Sequence, residues 1–330
     1  MEFTHIPNID EKISRIGLGT WSMGGWMWGG SDESEAIATI HRAIDLGVNC
    51  IDTAPVYGFG KSEEIVGKAL KQKGLRNKVV IATKLGLSWE NEQKVFRDSR
   101  KATIIKEIEA SLKRMHTDTI DLYQVHWPDP LTPYEETAEA LHALLKQGKI
   151  RAIGVCNYTT KQIEAFCKGG PLHSVQSPFN LFESWMENTE LAYALKHKLA
   201  VFGYGSLCRG LLSGKMSKQR KFGEGDLRNS DPKFQEPVFS QYLSCTEKLA
   251  AWAKQKYNRP LLALAIRWCL DKGVSISLWG ARKPEQLSEL SSIFGWKLTA
   301  QDLAEIDQIV TSTVTTPIGP QANGGPPNRD

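Results

Sequence analysis

Short apolar runs alternate with longer stretches in which apolar residues recur every three or four positions. This alternation continues along most of the chain. The short runs are 16–21, 49–54, 79–84, 120–126, 150–157, 174–179, 200–207 and 274–281, and each reads as a buried strand. Between them the helical signals are clear. Asp32 with Glu35 spells a capping box, Ile37, Ile40 and Ile44 share a face, and Gly47 marks the stop. Ser62 opens a second helix carrying Ile65, Val66, Ala69 and Leu70 and closing at Gly74. A third carries Ile105, Ile108, Leu112 and Met115. Thr132-Pro133-x-Glu135 predicts a helix with proline at its first position, continuing through Leu141, Leu144 and Leu145 to Gly148. Thr159 with Gln162 opens a fifth, and patterns over 238–257 and 260–272 precede the last strand.

Strands that alternate with helices belong to a parallel sheet, because parallel neighbours need a crossover. Eight of them predict an α/β chain folded as a single (β/α)8 TIM barrel over 1–330. An open doubly wound sheet is the rival. It wants a glycine fingerprint after an early strand. Here Gly17-x-Gly19 lacks the third glycine, and the run 24–30 is crowded with Trp and Met. Two segments depart from a plain barrel. The span 208–237 is long, polar and rich in Gly, Lys and Arg, and reads as a structureless lid. The Pro- and Gly-rich residues 314–330 read as an extended tail able to fold back over the barrel mouth.

Composition narrows the function. The 41 basic and 37 acidic residues are spread along the chain, which gives no case for nucleic acid or membrane binding. No run reaches the length of a membrane span, and the start lacks a signal-peptide pattern. Six scattered cysteines without CxxC or ligand spacing read as reduced thiols in a cytoplasmic protein with no metal site.

The chemistry gathers at the carboxyl ends of the strands, where barrels of this kind place their sites. Strand two ends in Asp52, with Tyr57 on the loop beyond; strand three ends in Thr83-Lys84; strand four ends in His126. A lone histidine in such a place is usually structural, and a lone lysine is usually solvated. Four such groups on three consecutive strand ends suggest a device for polarising and protonating a carbonyl. A neutral tyrosine is a proton donor. A cation about 4 Å away stabilises the tyrosinate left behind by roughly 1–4 kcal/mol. Lys84 supplies that charge, Asp52 holds Lys84, and His126 donates to the substrate oxygen. A Schiff-base lysine would need to be unpaired, against which Asp52 argues.

The motif series 17-GLGTW-21, Asp52-Thr-Ala-x-x-Tyr57-Gly, Thr83-Lys84, 123-YQVHWP-128, 154-GVCN-157, Gln176 before Pro178-Phe-Asn180, 204-YGSL-207 and 280-GARKPEQ-286 resembles that of the aldo-keto reductases. The ending, 278-LWGARKP-284 with the Pro-rich tail, resembles the bacterial general-stress branch. The resemblance implies a barrel that binds NADPH across its mouth and reduces aldehydes or ketones. It implies Asp52, Tyr57, Lys84 and His126 as the catalytic tetrad, with Tyr57 as general acid. It assigns Asn157 and Gln176 to the nicotinamide carboxamide and Tyr204 to its ring. It assigns Gly205, Ser206, Leu207 and Gly210 to the pyrophosphate, with Lys215 and Arg228 of the lid closing on it. Thr20, Trp21 and Asp52 join the cofactor site. Gly280, Arg282, Gln286 and Glu289 are assigned to the adenosine end, with a helix N-terminus at Pro284 and Arg282 favouring a 2′-phosphate. The chain departs from many relatives at Cys156, Trp279-Gly280-Ala281 and Leu290. The resemblance also admits another class: a cofactor-sensing subunit of a membrane protein, like potassium-channel β subunits. A cofactor-free lyase on the same barrel is a third reading.

Trp21, Trp26, Tyr57, Trp89, His126 and Trp127 are the expected substrate pocket, with Trp28 and Trp185 as loop packing. So many aromatics suit a small apolar aldehyde or aromatic ketone. Cys156 and Cys208 fall near the cofactor and open a redox-sensing possibility. Monomer and homo-oligomer are both compatible with the sequence.

Overall fold

The structure is a computed structural model that describes residues 1–91, 94–319 and 325–329. Strands β1 (Phe3–Thr4) and β2 (Ile13–Ser14) form a small antiparallel hairpin. Then β3 (Ile16–Gly19), β4 (Cys50–Asp52), β5 (Val80–Leu85), β8 (Ile120–Val125), β9 (Ile150–Cys156), β10 (Ser174–Pro178), β11 (Ala200–Tyr204) and β12 (Ile276–Gly280) close a parallel barrel, β12 pairing back onto β3. All eight expected runs are barrel strands. An extra hairpin, β6 (Leu87–Asn91) with β7 (Lys94–Arg97), rises from the end of β5.

The barrel closes because its strands carry apolar side chains on both faces. One set, including Ile51, Ile81, Tyr123, Ile153 and Val201, packs against the surrounding helices. The other, including Cys50, Val80, Leu122, Ala152, Phe202 and Ile276, fills the lower interior over Ile6, Ile9 and Ile13 of the amino-terminal hairpin. That hairpin plugs one end, so the opposite end, where the strands finish, is the open one.

Helices α2 (Glu33–Asp45), α3 (Lys61–Gln72), α4 (Lys101–Met115), α5 (Tyr134–Lys146), α6 (Thr160–Phe166), α8 (Val238–Tyr257) and α9 (Leu261–Asp271) fall where periodicity places them. Their starts need correction. The Asp32 carboxylate caps the Glu35 N–H, but Glu35 turns away to pair with Lys283, so only half the capping box forms. Pro133 is the N-cap of α5 rather than its first residue, and the Thr132 hydroxyl donates to Asp129 instead. Four-residue α1 (Trp21–Gly24) and short α7 (Ala192–Lys196) carry no strong sequence signal, and the final α10 (Ala300–Thr313) is not among the expected helices although a Thr299–Asp302 capping box opens it.

The span 208–237 is not structureless. It folds into 3-10 turns at Cys208–Ser213, Leu227–Asn229 and Pro232–Phe234. It crosses the open end and fastens to the loop after β3, where Leu227 N–H donates to Met27 O and Trp28 bridges Asp226. A charge network of buried Asp231 and Lys233 with partly exposed Arg209 and Glu183 holds its far end. Residues 325–329 return to the same mouth. Arg97 N–H donates to Pro327 O, and Arg329 pairs with Asp129.

Candidate active site

Asp52 ends β4, and Lys84 lies on β5 one strand over; both side chains are buried. Thr83 points the other way, its hydroxyl bonded to Glu63 among the helices, so alternation alone sends Lys84 into the barrel. The Lys84 ammonium is 2.6 Å from Asp52 Oδ1, 2.9 Å from Thr53 O and 3.3 Å from Tyr57 Oη. Three acceptors thus meet its three protons.

Tyr57 is placed by two glycines. Gly58 has φ +68, and a Cβ there would lie 2.2 Å from Gly24 O. A Cβ on Gly24 would lie 2.4 Å from Tyr57 O. Only two side-chain-free residues let α1 press against the Tyr57 loop. His126 follows β8 and meets the Tyr57 ring edge-on at 5.7 Å. Trp21 stacks on Tyr57 at 6.0 Å, and Trp28 meets Trp21 edge-on at 5.4 Å. The structure therefore brings Asp52, Tyr57, Lys84 and His126 together at one mouth.

Burial works against the Lys84 charge, but Asp52 and Tyr57 outweigh it and hold the ammonium above its ordinary range. Burial pushes the Tyr57 hydroxyl up to about 12, although Lys84 pulls the other way. The sequence expectation of a dominant lysine effect is corrected here: desolvation wins. Burial, helped by Lys84, drives His126 well below its usual range, so its imidazole is neutral.

Asp52, Tyr57 and His126 line one end of a cavity of about 830 Å³, with Lys84 behind them. Around them stand Trp21, Trp26, Val56, Leu87, Val95, Trp127 and tail residues Gly325, Pro326 and Pro327. Trp89 does not reach the cavity. It packs behind, against Phe59, which in turn backs Trp26. Trp28, expected as mere packing, lines the wall instead. Trp185 lies outside it, among the exposed large apolar residues.

From the tetrad the cavity continues past Thr20, Asn157, Gln176 and Tyr204 to Gly205, Ser206, Leu207, Gly210, Lys215 and Arg228, and on to Gly280, Arg282 and Gln286. Tyr204 Oη donates to Asn157 Oδ1, and Asn157 Nδ2 donates to His126 O. The Ser206 hydroxyl faces inward to Gly203 O and Ser277 Oγ, leaving its backbone for any ligand. Asp226 holds Arg228 bidentately at 2.9 and 2.6 Å, and the guanidinium lies over Phe222 and Trp28. Glu289 is exposed and outside the cavity. The expected helix at Pro284 is a 3-10 turn, Pro284–Leu287, too short for much dipole. Gln286 Oε1 accepts from the N–H groups of Arg282 and Lys283. The sequence did not single out Arg220 or Met27, whereas residues 325–327 of the wall belong to the tail expected to fold back over the mouth.

A nicotinamide dinucleotide fits this cavity. Its volume accommodates one, its lining runs from Tyr57 to Arg282, and Gly280 presents bare backbone to open space, where a Cβ would meet nothing within 4 Å. Burial pushes the Cys156 and Cys208 thiols up, so neither has the thiolate character of a redox sensor.

The sequence profile described as the Aldo/keto reductase family matches residues 15–311. The chain belongs to the aldo-keto reductase family. It is 53% identical over 331 residues to aldo-keto reductase YhdN of Bacillus subtilis, spanning 100% of this chain and 99% of that one. It is 36% identical to the NADH-specific methylglyoxal reductase of Escherichia coli, over 85% of this chain and 89% of that protein. Among solved structures, the glycerol dehydrogenase AKR11B4 from Gluconobacter oxydans matches with TM-score 0.89 and 51% identity, over 96% of this chain and 98% of that one. The aldo-keto reductases act as oxidoreductases on carbonyl compounds with a nicotinamide cofactor, and this chain is one of them. These relatives are reductases and a dehydrogenase, which does not favour the channel-subunit reading. Among the described residues no helix is long and apolar enough to cross a membrane.

Proposed function

We propose that this chain reduces aldehydes or ketones with NADPH, with Tyr57 as the proton donor. The observation that carries the reading is buried Lys84, bound at once to Asp52 and Tyr57, which line a cavity that runs on to Arg282. When bound, the nicotinamide supplies hydride to the carbonyl carbon. Asn157, Gln176 and Tyr204 would hold its carboxamide and ring. Gly205, Ser206, Leu207, Gly210 and Lys215 would follow the pyrophosphate, with Arg228 closing the strap above.

Tyr57 gives its proton to the carbonyl oxygen. Its high pKa keeps that proton in place at neutral pH. The Lys84 ammonium offsets the tyrosinate charge that appears on Oη, and Asp52 keeps the ammonium where it is needed. Neutral His126 donates an N–H to the same oxygen and orients it. The aromatic and aliphatic wall excludes water and suits a small apolar aldehyde or aromatic ketone.

Preference for NADPH rests on Arg282. Its guanidinium donates to Trp28 O and Gly30 O and makes no salt bridge among the described residues, its nearest acidic influence being Asp226, which is itself held by Arg228, whereas Lys283 is paired with Glu35. Of the two cations in this turn, Arg282 is thus the one left to meet a 2′-phosphate. The experiment is a panel of 4-nitrobenzaldehyde, methylglyoxal and succinic semialdehyde, each with NADPH and with NADH. Faster turnover with NADPH and the aromatic aldehyde supports the reading. Equal use of both nucleotides would remove the cofactor preference, and no turnover of any carbonyl would remove the reaction.

A further inference from the structure

The motif 123-YQVHWP-128 contains an amide that the reaction above leaves without a role. Gln124 lies on β8 inside the barrel and is fully buried. Its Cα pairs with Lys84 on one side and Gly154 on the other. A buried amide is costly unless its donors and acceptor are satisfied. Among the described residues its partners are two. Its Nε2 donates to Asp52 Oδ2 at 3.4 Å, and its Oε1 accepts from Gln176 Nε2 at 3.4 Å. Gln176 Nε2 also donates to Asp52 Oδ2, at 2.9 Å. The three side chains close a triangle of hydrogen bonds behind the tetrad. The fold reserves space for it: a Cβ on Gly154 would lie 2.8 Å from Gln124 Cγ and 3.1 Å from its Oε1.

We propose that Gln124 is a positioning residue that ties Asp52 to Gln176, so that one buried amide fixes both the tetrad and the amide facing the cofactor. The inference rests on the proposed function. Asp52 Oδ1 binds Lys84, so fixing Oδ2 fixes the direction in which the carboxylate presents Oδ1. Lys84 in turn reaches Tyr57. On the other side, Gln124 Oε1 holds the Gln176 amide in one orientation, with its donor end toward Asp52. Gln124 touches neither the reacting atoms nor the cavity surface. It therefore acts on rate through Asp52 and on dinucleotide affinity through Gln176.

Two variants test this. Gln124→Met keeps the length of the side chain and removes both hydrogen bonds. It is expected to lower kcat roughly tenfold or more with the carbonyl KM within about twofold. It is also expected to weaken NADP⁺ binding several-fold, read by quenching of tryptophan fluorescence without turnover. Gln124→Glu guards against misfolding as the explanation. A protonated carboxyl there donates to Asp52 and accepts from Gln176, as the amide does. Burial and the adjacent Asp52 raise the pKa of that carboxyl. The charged groups facing it are Asp52, which it touches, and Lys84, its register partner on β5, whose opposing charge is paired with Asp52. Gln124→Glu should therefore approach wild-type kcat at the acidic end of the stable range. It should fall toward the Gln124→Met rate as pH rises, relative to wild type at each pH. Wild-type kcat in Gln124→Met, or a Gln124→Glu rate as low as that of Gln124→Met at every pH, would overturn the assignment. Absence of turnover in the wild-type chain would instead overturn the function on which it rests.

Discussion

At the residue scale the site depends on Lys84, a buried cation that serves a carboxylate and a phenol together. Its partner Tyr57, pushed up to about 12, stays protonated across the neutral range. Carbonyl reduction should therefore show no loss from Tyr57 as pH rises toward roughly 10. Alcohol oxidation needs the tyrosinate and should accelerate over the same interval. A kcat profile in each direction checks both signs. Arg282→Ala should raise the Kd for NADPH at least about tenfold while changing that for NADH far less, because only one of them carries a 2′-phosphate. Equal weakening in a binding titration would place Arg282 away from that group. Asp52, Tyr57, Lys84 and His126 were legible because strand ends and strand alternation fix where such side chains point. Glu289 misled because its position depends on a helix at Pro284 that is only a 3-10 turn. Trp28 misled because the strap residues it packs against, Asp226 and Arg228, are about two hundred positions away.

At the scale of elements, the substrate end is built by two pieces that no barrel pattern announces. One is the β6–β7 hairpin, which contributes Leu87 and Val95 to the cavity. Its root is Gly86, at φ +83, whose N–H donates to Glu107 at 2.7 Å while its C=O accepts from Asp98 N–H. Burial raises Glu107 from 4.5 to about 7, so the fold favours the protonated acid. Its contribution to stability is complete below about 4.5 and is lost as pH rises through about 7, at up to about 1.4 kcal/mol per pH unit. Glu107→Gln should remove that slope, seen as urea midpoints that change less than wild type between those pH values. An unchanged slope would mean that Glu107 is ionised in the fold. The other piece is the tail. Arg329 pairs with Asp129 and donates to Leu131 O and Thr132 Oγ1, while Gly325 sits so close to Trp127 that a Cβ would lie 2.4 Å from its ring. Arg329→Ala should loosen this wall and raise KM for 4-nitrobenzaldehyde severalfold with a smaller change in kcat, measured by steady-state kinetics. An unchanged KM would show that the wall holds without its latch. Neither piece was legible in detail, because the hairpin hides in a polar stretch and the latch joins residues about two hundred positions apart.

At the scale of the whole molecule, eight strands were readable because parallel strands buried on both faces are nearly continuous apolar runs. The plug that closes one end and leaves the other open was not, since its two strands are two residues each. With that end blocked by Ile6, Ile9 and Ile13, every ligand must enter at the strand ends, where the strap, the tail and the tetrad converge. The central claim is that this mouth reduces a carbonyl with a proton from Tyr57. The most direct measurement compares wild type and Tyr57→Phe for NADPH-dependent reduction of 4-nitrobenzaldehyde, with NADPH affinity determined for both. The account predicts a kcat lower by about a hundredfold or more in Tyr57→Phe, with NADPH affinity preserved. Full activity in Tyr57→Phe would contradict it and take the tyrosine out of the acid role.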